Sequence, residues 1–81
     1  MEVTVHFHSY FKDLAGRSEL TVEIPAGMTL GEVYERLVEQ FPKLAPMRNS
    51  TLMAVGVEYQ PKNYLVKPGD EISFFPPVQG G

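Results

Sequence analysis

No cysteine occurs anywhere in the 81 residues. That excludes a disulfide framework, a thiolate-rich metal site, and a Cys nucleophile or persulfide. Any sulfur carried by this chain must be attached to something other than Cys. Positive charge is also scarce. Seven Lys and Arg stand against ten Asp and Glu, for a net charge of −3. The basic residues are scattered, whereas a phosphate-binding surface needs a basic patch, so no nucleic-acid partner is expected. Long apolar runs are missing as well. No stretch approaches the ~20 residues that span a bilayer, so no membrane partner is expected. The opening Met1-Glu2-Val3-Thr4-Val5 has neither the basic n-region nor the apolar h-region of a signal peptide. A soluble, cytoplasmic protein is the expectation. The length allows one small domain, which buries roughly 60–65% of its unfolded surface. No P-loop or Gly-rich strand-to-helix nucleotide motif is present. The chain therefore has no evident active site of its own, and partners must supply most of the machinery of any multistep chemistry.

What is present is a clear alternation of strand and helix signals. Val3, Val5 and Phe7 alternate with Thr4, His6 and His8, and Leu20, Val22 and Ile24 alternate with Glu19, Thr21 and Glu23. A period of two predicts two half-buried strands. Residues 10–16 between them are too many for a tight hairpin and predict one helical turn stopped by Gly16. Thr29 followed by Glu32 fits a capping box. Leu30, Val33, Tyr34, Leu37, Val38 and Phe41 then form an apolar stripe at helical spacing, with Glu32, Glu35, Arg36, Glu39 and Gln40 on the wet face. Pro42 ends this helix of about 13 residues. Residues 43–50 read as a connection holding a helical turn. Strands are expected at residues 51–55, 57–59 and 71–75, with a strong turn at Pro68-Gly69-Asp70. One sheet with one main helix across one face is an α+β architecture. Residues 1–75 form the domain in this reading, and residues 76–81 an extended C-terminal tail, because Pro76 and Pro77 have no N–H to give a central strand.

The tail, Pro76-Pro77-Val78-Gln79-Gly80-Gly81, carries the functional signal. Pro-Pro favours the stiff, extended polyproline II conformation. At roughly 3.1 Å per residue such a tail reaches up to ~19 Å. Stiffness lowers the ordering cost of threading it into a partner's cleft. Gly80 and Gly81 lack Cβ atoms and fit a narrow channel. The group delivered there is a bare α-carboxylate, useful only once activated. Adenylation makes it a mixed anhydride that a sulfur nucleophile displaces. The product, a C-terminal thiocarboxylate, needs no cysteine.

The run Phe74-Phe75-Pro76-Pro77-Val78-Gln79-Gly80-Gly81, preceded by Pro68-Gly69-Asp70-Glu71-Ile72, resembles the end of the molybdopterin synthase small subunits, the sulfur-carrier family of molybdenum cofactor synthesis. The resemblance implies a ubiquitin-like β-grasp: a mixed sheet of four to five strands, one main helix packed across one face, and a projecting C-terminal tail. It implies that an E1-like adenylating enzyme charges Gly81 using ATP, with no cofactor bound by this chain. It also implies that a sulfur donor protein converts Gly81 to the thiocarboxylate. The large subunit of molybdopterin synthase then takes the tail, in a 2+2 heterotetramer, and sulfur passes to cyclic pyranopterin monophosphate to form the dithiolene. By that motif Gly81 is the acyl site and Gly80 the clearance residue. Phe75, Pro76, Pro77, Val78 and Tyr59 are candidate partner contacts, Phe75 because it lies on the strand face opposite Ile72 and Phe74. Many relatives have Asn where this chain has Gly56.

His6 and His8 share a strand face, and such a pair can bind metal. Without Cys or a matching carboxylate cluster the expectation is no metal site and an exposed polar face. Other functions remain open at this level. One is a sulfur carrier of another pathway, such as thiazole synthesis, whose carriers usually lack the Phe-Phe-Pro-Pro run. The others are a ubiquitin-like protein modifier and a non-covalent binding module.

Overall fold

The computed structural model describes residues 1–77; Val78, Gln79, Gly80 and Gly81 lie outside the described residues. Strands β1 (Glu2–Phe7) and β2 (Glu19–Glu23) are joined through a short helix, α1 (Phe11–Ala15). Gly16 ends α1 in the left-handed region, at φ 75°, and its N–H donates to the Lys12 carbonyl. The main helix, α2, covers Leu30–Gln40, shorter than the 13 residues expected from Pro42. Its last turn ends at Phe41, whose φ and ψ of −128° and 81° already leave the helix. Pro42 instead opens a 3-10 helix, Pro42–Met47, a longer ordered element than the single turn expected there. Strands β3 (Leu52–Val55), β4 (Glu58–Tyr59) and β5 (Glu71–Phe75) follow. Tyr64 to Val66 joins the structure through one isolated bridge, Leu65 to Thr29, and not as a strand.

The five strands form one mixed sheet in the order β2-β1-β5-β3-β4. The last strand is therefore central. It lies parallel to β1, with Val5 opposite Ile72 and Phe7 opposite Phe74, and antiparallel to β3, with Met53 opposite Phe74. Side chains alternate across a sheet. One face thus collects Val3, Val5, Phe7, Ile72, Phe74 and Met53, all at most 4% exposed. Against it α2 sets Leu30, Val33, Tyr34 and Leu37. Each such burial stabilises by about 1.5–3 kcal/mol before the entropy of ordering is subtracted.

The start of α2 is held as expected. Thr29 Oγ1 accepts from the Glu32 N–H at 3.2 Å, and Glu32 Oε1 accepts from the Thr29 N–H at 3.0 Å. This reciprocal cap satisfies two donors at the helix start. It also holds the Glu32 carboxyl below its ordinary range.

Candidate functional site

The parallel pairing of β1 with β5 decides where the tail begins. Both strands run the same way, so Phe75 emerges beside the end of β1. There the His8 N–H donates to the Phe74 carbonyl at 3.2 Å. The register then assigns the sheet's second face, which carries no helix among the described residues. It includes Thr4, His6 and His8 from β1 and its continuation, Glu19 and Thr21 from β2, Glu71, Ser73 and Phe75 from β5, Leu52 and Ala54 from β3, and Tyr59 from β4.

At the tail end this open face is aromatic. The His8 ring lies flat on Phe75, 4.3 Å between centroids with the planes 13° apart. Tyr59 meets Phe75 edge-on at 6.1 Å. Phe75 is half-buried between these two rings, whereas Tyr59 is 68% exposed. Val57, at the tip of the β3–β4 hairpin, is wholly exposed. Gly56 takes φ 61° in that two-residue connection, a backbone geometry that suits glycine. The result is an apolar surface whose central rings, Phe75 and Tyr59, stand on strands, the rigid support a docking anchor needs.

Away from the tail the same face turns acidic. His6 sits between two carboxylates, with Nε2 3.1 Å from Glu71 and Nδ1 3.6 Å from Glu19. Among the described residues no group of three or more His, Cys, Asp or Glu is placed to hold a metal ion. His8 is not the simple exposed polar residue expected from its alternation. Its Nε2 is buried and has no hydrogen-bond partner among the described residues. Burial first, then His6 and Lys12, hold its pKa below the ordinary 6.5.

Of the candidate contacts, the structure brings Phe75 and Tyr59 into one cluster and starts the tail at half-buried Pro76 and Pro77. Val78, Gly80 and Gly81 lie outside the described residues. Sequence reasoning missed His8 and Leu52 as members of this cluster. The alternation of β1 marked the face of His8, but only the β1–β5 pairing says that Phe75 shares it. A larger concavity, about 630 Å³, lies on the far side of the molecule between α2 and residues 62–63. Two of its rim cations are spent internally: Arg48 binds Glu35 through two hydrogen bonds of 3.0 and 2.9 Å, and Lys62 donates to Asn49. Nothing there converges on the tail.

Comparison with known proteins agrees with this architecture. The model of the ThiS family matches residues 5–81, all but the first four residues. The chain belongs to the ThiS family. Among the curated relatives of this family member is the molybdopterin synthase sulfur carrier subunit of Arabidopsis thaliana, 31% identical over 81 residues, covering all of this chain and 84% of that one. The molybdopterin synthase sulfur carrier subunit of Drosophila melanogaster is 32% identical, covering all of this chain and 92% of that one. Among solved structures, a putative molybdopterin converting factor subunit 1 from Pyrococcus furiosus superposes with a TM-score of 0.87 at 26% identity, covering 96% of this chain and 99% of that one. SAMP1 from Haloferax volcanii superposes equally well, at TM-score 0.87 over the whole of both chains, but at 21% identity it speaks for the fold alone. The fold of this ThiS member is the ubiquitin-like β-grasp. No helix among its described residues is long and apolar enough to cross a membrane.

Proposed function

We propose that this chain is the sulfur carrier subunit of a molybdopterin synthase, working through its C-terminal carboxylate. The observation that carries the proposal is the aromatic anchor at the root of the tail. Phe75, braced by His8 and Tyr59, presents an apolar surface where the Pro-Pro segment leaves a rigid central strand. Relatives that bear the name molybdopterin synthase sulfur carrier subunit over this chain's full length support the same reading.

In the proposed cycle an E1-like enzyme binds ATP and the tail. The Gly81 carboxylate attacks the α-phosphorus, forming the acyl adenylate and releasing pyrophosphate. A sulfur donor protein supplies the nucleophile that displaces AMP, leaving the thiocarboxylate. The large subunit docks on the open face around Phe75, Tyr59, Pro76 and Pro77, with Val78 and Gly80 leading Gly81 into its active site. There the thiocarboxylate sulfur attacks a carbon of the cyclic pyranopterin, forming a C–S bond as a C–O bond at that carbon breaks and its oxygen leaves as phosphate or water. Hydrolysis of the resulting thioester leaves the sulfur on the pterin and regenerates the carboxylate. Two such transfers build the dithiolene. The chain itself contributes no proton-transfer group in this scheme. It presents, orients and withdraws one reactive terminus.

The test is mass analysis after incubation with the activating enzyme, ATP and sulfide. Cleavage after Glu71 releases residues 72–81, which contain no Met. Exchange of one oxygen for sulfur is therefore not confused with Met oxidation. The expected result is that exchange in the fragment, and loss of pterin sulfuration when Gly81 is deleted. A Gly81-deleted chain that supports full pterin sulfuration overturns the proposal in favour of a non-covalent binding module. A chain recovered joined to lysines through Gly81, with no sulfur transfer, favours a protein modifier.

A further inference from the structure

Among the polar groups of the open face that the proposed cycle does not use, His8 lies against the root of the tail. Its ring lies on Phe75 at 4.3 Å with the planes 13° apart, and its main-chain N–H donates to the carbonyl of Phe74. Ring and backbone together tie the end of β1 to the last residues of β5, immediately before Pro76. The geometry points to His8 as a positioning residue for the tail. Its neutral ring holds Phe75 in the docking face, and proton uptake by that ring releases Phe75 and weakens docking of the large subunit. This inference rests on the docking reading above for its consequence, but its structural half concerns this chain alone.

The buried nitrogen is the reason. A neutral imidazole can keep its single proton on one nitrogen and leave the other bare. With Nε2 bare, the ring stacks on Phe75 with no donor left unmet. An imidazolium carries N–H at both nitrogens, and Nε2 is buried without an acceptor among the described residues. A charged ring on an aromatic face gains some cation–π attraction. An unmet charged donor away from water outweighs it.

The described residues offer no compensating charge. On β1 the His6 ring lies 6.4 Å away, and from α1 Lys12 adds positive potential. Of the carboxylates of this face, Glu71 on β5 and Glu19 on β2 are turned onto His6, while Glu23 at the other end of β2 pairs with the amino terminus. β3 and β4 contribute the apolar Leu52 and the Tyr59 ring. Consistent with this, burial, His6 and Lys12 all act to lower the His8 pKa. The ring is thus neutral near pH 7 and takes up a proton only in acid, where it must leave its place to be solvated.

The experiment has two arms. In the full chain alone, the ring signals of His8 and Phe75 are followed by NMR from about pH 8 to pH 5. The Phe75 signals are expected to shift with the His8 midpoint, below the ordinary histidine value of ~6.5. In a His8→Phe chain they are expected to stay fixed. In the second arm the affinity for the large subunit is measured near pH 7.5 and pH 5.5. The wild-type chain is expected to lose about fivefold more affinity across that interval than His8→Phe, which retains an aromatic stack without a titrating group. His8→Gln, also non-titrating, decides this arm should His8→Phe fail to fold. Phe75 signals that ignore the His8 titration, or non-titrating variants with the wild-type pH dependence, overturn the inference. No binding by the wild-type chain near pH 7.5 overturns the docking reading instead, and the ring titration then decides this inference by itself.

Discussion

The Tyr34 hydroxyl donates to the main-chain carbonyl of Leu44 at 2.7 Å, pinning the 3-10 helix to α2 from inside the core. Thr51 Oγ1 donates its one proton to the Met47 carbonyl at 2.7 Å and lies 3.2 Å from the same hydroxyl. Residues distant in sequence are thereby joined without a water-exposed link, and Tyr34 itself is 1% exposed. Its removal deletes one buried hydrogen bond to the Leu44 carbonyl, which keeps only its place in the 3-10 helix. Tyr34→Phe is expected to cost ~0.5–1.5 kcal/mol, read as a lower midpoint in urea with unchanged slope.

The same residue sets an alkaline limit. Burial is the main cause raising the Tyr34 pKa above its usual value. A raised folded value means the folded state holds the proton longer than the unfolded chain does. Its contribution is complete below ~pH 10 and is lost as pH rises through the folded value. Stability followed from about pH 9 to pH 11 is expected to fall more steeply for the wild-type chain than for Tyr34→Phe.

The capping box at α2 makes the opposite prediction at the acid end. Hydrogen bonds from Thr29 hold the Glu32 carboxyl below its usual value, so its contribution is present above ~pH 4.3 and lost as pH falls through the folded value. Thr29→Ala removes the cap and is expected to cost ~1 kcal/mol near pH 7. The difference between Thr29→Ala and wild type should shrink in acid, as measured by thermal unfolding at each pH.

Docking is expected to be far more sensitive than folding at the aromatic cluster. Tyr59 is mostly exposed and Phe75 half-buried on the face opposite the core. Tyr59→Asp is expected to leave the circular dichroism spectrum and the unfolding midpoint nearly unchanged. It should raise the Kd for the large subunit by about tenfold or more, in keeping with loss of one aromatic anchor. Glu39→Ala, on the exposed side of α2, is the matching control and should change neither.

Gly16 offers a test of backbone rather than side-chain energetics. It takes φ 75°, and a Cβ built there would meet nothing within 4 Å. Gly16→Ala therefore reports conformational strain alone. It is expected to cost about 1 kcal/mol, visible as a lower thermal midpoint.

Much of the local structure followed from neighbours in the chain. The period-two runs at Val3–Phe7 and Leu20–Ile24, the left-handed stop at Gly16 and the Thr29–Glu32 cap all depend on groups within a few residues of one another. So did the stripe that α2 lays on the core, with Leu30, Val33, Tyr34 and Leu37 buried. The ends of elements were less legible. Pro42 removes an N–H that a continued helix would use, which marks a break. Whether the chain then loops or tightens into a 3-10 helix depends on the Tyr34 anchor to Leu44, which lies ten residues away.

Periodicity, composition and the C-terminal motif thus determined by themselves the α+β class, the absence of thiol chemistry and the choice of the tail as the place to look. These depend on residue type and near spacing, which the chain carries in any conformation. Only the tertiary structure decided what surrounds the root of that tail. Strand pairing is non-local: setting β5 beside β1 and β3 carries Phe75 to His8, with Tyr59 arriving across β3. No spacing along the chain encodes that meeting, because the register forms only when the sheet closes over its core.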